Sequence, residues 1–265
     1  MRPSGLLLFS VLALAAPAQA RELKVCADPN NLPFSNDKEQ GFENAIARIV
    51  AEELGAKITW VWRAQRRGNV RETLNEGACD LVPGVASSLE MLATTRPYYR
   101  SSYVAVTRRG PLSDVSNFDD ARLRELRIGV QLIGDDGANS PPAHSLSRRG
   151  IVDNIRGFTV FGDYARAAPQ SAIVEAVASG EVDVAFVWGP TAGYFAQRAA
   201  VPLTLTPIEP HSDGPTLPMQ FEISMGLRRD DRSLKREVEA ALRRRSFDIR
   251  TILEDYGVPL VNSED

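Results

Sequence analysis

The sequence predicts an α/β protein of two similar lobes facing each other across a cleft, and three observations carry that prediction. The first is a repeated unit. Leu74-Asn75-Glu76-Gly77-Ala78-Cys79-Asp80-Leu81-Val82 closes a helix-like stretch and opens an apolar strand, and Val177-Ala178-Ser179-Gly180-Glu181-Val182-Asp183-Val184-Ala185 does the same 103 residues later. Each glycine suits the left-handed residue that ends a helix, and each is followed three residues on by Asp. The second is alternation: apolar, strand-like runs exchange with segments of helical periodicity along the chain, the pattern of parallel or mixed sheets. The third is the placing of turn-rich segments directly after the first strand of each half, at Ala27–Asn36 and Gly134–Pro142. Ligands collect at the carboxyl ends of parallel strands and in clefts between lobes.

Element by element, the chain opens with a segment outside the fold. Arg2, the apolar run Leu6–Ala16 and Ala18-Gln19-Ala20 form a basic region, a short hydrophobic region and an A-x-A cleavage site, so residues 1–20 are expected to be a signal peptide. The run is too short to span a bilayer. No Cys lies at the cleavage point, so no lipid anchor is expected and the mature protein should be periplasmic. Leu23–Cys26 reads as a buried strand. From Phe42 the period changes: Phe42, Ile46, Ile49, Val50 and Leu54 share a helical face that Gly55 ends. Ile58–Trp62 is the next strand. Asn69 followed by Glu72 resembles a capping box, and Asp80–Val85 is the third strand. Ser102–Arg108 is extended, and Arg127–Gln131 opens the second lobe. A helix, the strand Phe158–Phe161, the helix Ala172–Ser179 and the strand Val182–Trp188 follow. Gly189-Pro190 can start another helix, Leu203–Ile208 and Gln220–Leu227 read as strands, and Ser233–Tyr256 is mostly helical.

Charge narrows the partners. Beyond Arg2 the chain holds 30 Lys+Arg against 34 Asp+Glu. A net negative surface argues against nucleic acid or an anionic membrane. Cys26 and Cys79 are the two cysteines. With strand order 2-1-3 in the first lobe, their strands are neighbours and a disulfide is geometrically reasonable. A redox-active pair is the alternative, although C-x-x-C is absent.

The chemistry-bearing motifs are sparse. There are two histidines, His144 and His211, and no HExxH, G-x-S-x-G, Walker loop or strand-linked G-x-G-x-x-G. No catalytic set, cofactor or metal is assigned. In the loop Gly134–Pro142, Asn139 or Ser140 can cap a helix begun by proline, and its free N–H groups could hold an anion. A plain capped helix explains the same residues, while Asp135 and Asp136 would favour a cationic or polar ligand, or, with Asn139 and Asp163, a hard metal. The loop Asp28–Asn36 is denser in Asn, Asp and Pro than a turn requires and reads as a cleft wall. Trp60, Trp62 and Trp188 read as core, with Trp188, at a strand end before Gly189-Pro190, the best cleft exception. Arg66-Arg67 and Arg243-Arg244-Arg245 read as solvated faces. Glu43 could be nominated as a general acid.

Those residues also carry a resemblance. The G-x-x-D units, Pro97-Tyr98-Tyr99, the strand Gln220–Leu227 and the ending Ile252–Gly257 resemble type II periplasmic substrate-binding proteins, as in the amino-acid ABC transporter family. Val25–Asn36, Gly41–Asn44, Thr95–Tyr103, Gly157-Phe158, Gly162-Asp163-Tyr164, Trp188-Gly189-Pro190 and Ala192–Phe195 resemble the quinoprotein-dehydrogenase-associated branch, the MxaJ/XoxJ type of methanol oxidation systems. The resemblance implies a two-lobed fold with two interlobe crossovers, lobe 1 being 21–107 plus 221–265 and lobe 2 being 108–220. It implies a periplasmic accessory of a PQQ-dependent methanol or alcohol dehydrogenase, calcium- or lanthanide-dependent, with its cytochrome c as a second candidate partner. The expected cleft or partner-binding residues are Asp28, Asn30, Phe34, Asn36, Glu43, Tyr98, Arg100, Gln131, Asp135, Asn139, Ser140, Asp163, Tyr164 and Trp188. Amino-acid binders usually carry an Arg about seven residues before the Pro-Tyr to clamp the ligand carboxylate; Leu89, Glu90 and Met91 stand there. They also often place an acid where Val187-Trp188-Gly189 stands. Without both partners a bound zwitterion would leave buried charges unpaired. The competing readings are a solute-binding protein of an importer for a small polar ligand, and a cleft dehydratase on the same fold.

Overall fold

The computed structural model describes residues 21–66, 68–133, 139–160 and 164–262. Strand β1 (Arg21–Ala27) runs into a small hairpin, β2 (Asn30–Asn31) and β3 (Ser35–Asn36). Helix α1 (Phe42–Glu53) follows, burying Phe42, Ile46, Ala47 and Val50 on one face. Its entry is set by Gly41, where a Cβ would lie 2.0 Å from the Phe34 carbonyl oxygen, and by Asn44, whose Oδ1 accepts from the Gly41 and Asn36 amides. Next come β4 (Ala56–Trp62), β5 (Leu81–Ala86), β6 (Ala93–Thr94) and β7 (Tyr99–Arg108). The second lobe contributes β8 (Ile128–Leu132), α2 (Pro141–Arg148), β9 (Ile155–Thr159), α3 (Ala172–Ser179), β10 (Val184–Trp188), α4 (Gly189–Ala196) and β11 (Leu203–Pro207). Strand β12 (Gln220–Leu227) leads back to α5 (Arg232–Arg244) and α6 (Ser246–Asp255).

The main sheet runs β4-β1-β5-β12-β7-β10-β8-β9, with β11 on β7 and β6 on β12. In lobe 1, β1 lies between β4 and β5 and is parallel to both; in lobe 2, β8 lies likewise between β9 and β10. This is the order 2-1-3 in each. The joint is the antiparallel pair β7–β12. Residues 99–102 of β7 pair with β12, while 103–107 pair with β10. Lobe 1's core packs α1, α5 and α6 on the sheet around Phe42, Ile46, Val50, Val238 and Leu253. Two clusters fill lobe 2, around Leu123, Ile128 and Phe186 and around Ile173, Val177 and Val187.

The repeated G-x-x-D unit has one structural job performed twice. Gly77 and Gly180 take φ of +74° and +81°, which costs glycine no Cβ clash. The Asp80 amide donates to the Lys24 carbonyl at 2.8 Å and its Oδ2 accepts the Lys24 amide at 3.0 Å. Asp183 does the same with Arg127, at 2.8 Å and 2.9 Å. Each aspartate thus holds the backbone of the lobe's first strand against its third, and Arg228 and Arg127 balance the charges. Asp80→Ala, which strands the part-buried Lys24 amide, should cost about 1–3 kcal/mol, and Asp183→Ala, whose partner amide on Arg127 is exposed, about 0.5–1.5 kcal/mol, each read as a lower urea midpoint at unchanged m-value.

Two local expectations are corrected. The helical turn after Gly68 is a π-helix, Arg71–Asn75, rather than a capping-box helix begun by Asn69. The Thr73 hydroxyl donates to the Asn69 carbonyl at 2.7 Å and Glu72 is drawn away to Arg63. The basic run is not wholly solvated: Arg244 pairs with Glu53 of α1 at 2.5 Å, and Arg245 with Asp248 and Glu52. Cys26 and Cys79 form a disulfide, with Cα atoms 5.6 Å apart.

Candidate functional site

The turn after β1 and the residues after the strand β9 meet across the cleft. Asp28 is buried, and its carboxylate organises the turn. Oδ1 accepts the Asn30 amide at 2.8 Å, and Oδ2 accepts the Gln65 amide at 2.8 Å. Oδ2 also accepts the Tyr164 hydroxyl at 2.7 Å, from the other lobe. Three further contacts reinforce the crossing. Asn30 Nδ2 donates to the Arg166 carbonyl at 2.7 Å, Gln170 Nε2 donates to Asn31 Oδ1, and the Arg66 guanidinium lies 5.6 Å over the Tyr164 ring. Leu32 packs against the lobe 2 core. Protein side chains therefore occupy this stretch of the cleft and hold its walls together. Burial, then the bond to Asp28, raises the Tyr164 phenol, so it stays a donor.

Behind this contact lies Glu43, 4% exposed. Burial first, and the Asp28 charge second, push its pKa to about 8, so it is a neutral acid at pH 7. Its carboxyl lies over Gly84, where a Cβ would come within 1.8 Å of Oε1; only glycine leaves room. Burial, Tyr99 and Glu43 hold the Tyr98 phenol well above 10, and that phenol donates to the Pro83 carbonyl at 3.2 Å. Asp28, Glu43, Tyr98 and Gly84 thus form one cluster at the cleft end of lobe 1.

The remaining candidates are placed elsewhere. Phe34 packs against Phe42, ring centroids 5.3 Å apart. Asn36 is buried and braces its own loop through Gln40. Arg100 pairs with Glu222 across the β7–β12 joint, a contact between the two crossing strands. Gln131 Oε1 accepts the Trp188 amide at 2.7 Å, fastening β8 to the end of β10. Trp188 touches both Tyr103 and Phe221 and packs on the cores of both lobes. Asn139 bridges to Leu132. Ser140 occupies the N-cap position of α2 with Pro141 next, but its side chain makes no capping bond and its buried Oγ has no partner among the described residues. Asp135 and Asp163 lie outside the described residues. The sequence nominates none of Asn31, Gln65, Gly84, Arg166 and Gln170 as site residues, and it reads Arg66 as a solvated face although its guanidinium also lies over the Tyr164 ring. Of these, Asn31 alone belonged to a segment read as a cleft wall.

The positions that would clamp an amino-acid carboxylate hold half-buried Leu89, exposed Glu90 and exposed Met91. Tyr164→Phe combined with Asn30→Ala removes two interlobe hydrogen bonds, each worth about 1 kcal/mol. The double variant should shift the lobes toward an open arrangement by roughly tenfold or more, seen as a larger radius of gyration in small-angle scattering.

Comparison with known proteins agrees with this architecture. The family "Bacterial extracellular solute-binding proteins, family 3" matches residues 23–257. Protein MoxJ of Paracoccus denitrificans is 33% identical over 96% of this chain and 95% of its own length. The crystal structure of periplasmic binding protein XoxJ from Methylobacterium extorquens AM1 is 37% identical, with a TM-score of 0.74 over 91% of this chain and 100% of that one. MxaJ from Methlophaga aminisulfidivorans MPT is 29% identical, with a TM-score of 0.75 over 90% and 100%. Covering both lobes and the C-terminal helices, these matches place the chain in the bacterial extracellular solute-binding proteins, family 3, as a two-lobed type II periplasmic binding protein of the MxaJ/XoxJ type.

Proposed function

We propose that this protein is a periplasmic, non-enzymatic accessory of a PQQ-dependent methanol or alcohol dehydrogenase, which it binds and whose maturation or activity it supports. The observation that carries the reading is the cleft: Asp28, Asn30 and Asn31 are engaged by Tyr164, Arg166 and Gln170 of the opposite lobe, in the place where a carrier would engage its solute. The missing carboxylate clamp at Leu89–Met91 points the same way, as does likeness to MoxJ, XoxJ and MxaJ over nearly the whole chain. Among the described residues no helix is long and apolar enough to cross a membrane. The lobes divide in this reading at 107/108 and 220/221, with relative motion at the β7–β12 joint.

The test is biolayer interferometry of the mature protein against a purified PQQ methanol dehydrogenase, with and without PQQ, at two ionic strengths. Saturable micromolar or tighter binding supports the reading; no binding to either form rejects it. Family membership supports a second reading, an importer's solute-binding protein. It requires that a small polar ligand displace the Asp28–Tyr164 contact, and so bind in competition with lobe contact.

A further inference from the structure

We infer that the partner docks on the α5–α6 face of lobe 1, rather than between the lobes, through an acidic segment that carries a bulky apolar side chain. This rests on the reading just given, and names its surface. Three observations meet on this face. A pocket of about 230 Å³ opens between residues 96–98 and the α5–α6 junction, and Pro97, Tyr98, Leu242 and Ile249 are the apolar and aromatic part of its lining. Phe247, one residue from Ser246 in the pocket wall, is 80% exposed, the most exposed large hydrophobic residue among those described. An exposed aromatic that follows a pocket-lining serine on the same helix is within reach of a segment seated in that pocket, and aromatics and arginines concentrate binding energy at interfaces.

The charges state the partner's sign. Arg244, Arg245 and Arg250 on these helices are satisfied by Glu53, Asp248 and Glu254. Arg96 and Arg243, the two cations that line the pocket, form no ion pair among the described residues. The pocket's one acid, Glu239, is neutralised by Lys235 at 2.9 Å and accepts the Arg96 amide at 3.0 Å. The rim is therefore net positive on a chain that is net negative overall. A carboxylate brought to Arg96 and Arg243 gains charge-assisted hydrogen bonds, and an apolar side chain beside it fills the pocket. A basic or neutral segment would gain only the apolar burial and not the charge-assisted bonds. Tyr98 joins this face to the interior, since the residue lines the pocket while its hydroxyl reaches the Pro83 carbonyl.

The experiment compares three proteins against the immobilised dehydrogenase: wild type, the face variant Arg243→Glu with Phe247→Glu, and the cleft variant Asn30→Ala with Tyr164→Phe. Both face positions are exposed, so that variant should unfold at the wild-type temperature. The expected result is at least about tenfold weaker binding for the face variant, as for loss of interface anchors, and a smaller loss for the cleft variant, whose lobes open without altering the docking face. Raising the ionic strength should weaken wild type more than Arg243→Glu alone. Wild-type binding that survives in the face variant but is lost in the cleft variant overturns this inference and leaves the accessory reading standing. Wild type that fails to bind at all overturns both.

Discussion

Unfolding free energy should fall as pH is raised from 4.5 to 8, and Glu43→Gln should abolish most of that fall. The sign follows from proton linkage. The folded protein holds the Glu43 proton up to about pH 8, while the unfolded chain releases it near 4.5. Across that window the native state binds more protons, so rising pH favours unfolding. Below 4.5 both states are protonated and the group is neutral in its effect; above 8 both are ionised and the loss is complete. Each tenfold change in proton affinity is worth about 1.36 kcal/mol, so the total is at most about 5 kcal/mol, less whatever relaxation around Gly84 recovers. The carboxylates held below their usual range act below the window. Hydrogen bonding to Arg127 leads the causes that hold the Asp183 carboxyl below its usual 3.8, with burial opposing. Its stabilisation is therefore present above that value and lost as pH falls through its lowered folded pKa. Urea titrations at pH 5 and pH 8.5 separate the two. The wild type should lose several kcal/mol between them and Glu43→Gln about 1 or less; equal losses in both proteins reject the assignment. Ionisation of Glu43 also sets a second negative charge beside Asp28, the acceptor for Tyr164, so the same titration loads the wall that contacts lobe 2.

Much of this molecule was legible in its sequence because regular periodicities and end signals are local. The two G-x-x-D units, the 2-1-3 order in lobe 1, the Cys26–Cys79 pairing and the limits of β12 each follow from a few neighbouring residues and the geometry of parallel strands. The cleft contact was legible on one side alone. Asp28–Asn36 stood out because Asn, Asp and Pro crowd into a short turn. Arg166 and Gln170 are ordinary polar loop residues, and what they do depends on which residues the opposite lobe presents. Glu43 illustrates the same limit. A glutamate at the start of an amphipathic helix gives no sign of burial; its burial depends on Gly84, which lies on β5 and has no side chain to exclude it. The arginine run fails for a related reason. Sequence shows three adjacent cations, while the fold turns Arg244 and Arg245 onto the acids of α1 and leaves Arg243 beside the pocket.

Replacing both cysteines, Cys26→Ala with Cys79→Ala, should cost about 4 kcal/mol through the unfolded chain alone, because the bridge closes a loop with a sequence separation of 53 residues. Alanine is the informative replacement. Cys26 and Cys79 are 2% and 0% exposed and pack with Leu74, Val82, Val85 and Leu92, so serine would add buried hydroxyls and confuse the reading. Two lost sulfurs leave a small void in that cluster, which adds to the cost. The bridge also bears on the cleft. Cys26 lies two residues before Asp28, so the disulfide ties the root of the contact loop to the turn that carries Asp80. Beyond β1 that loop is held by hydrogen bonds from Gln65, Tyr164 and its own hairpin. Urea unfolding of the double variant should show a lower midpoint, and reducing agent should lower the wild-type midpoint similarly while leaving the variant unchanged. A double variant within about 1 kcal/mol of wild type would mean that the buried cluster, and not the covalent link, holds β1 to β5, a small effect next to the 2–4 kcal/mol typical of native bridges.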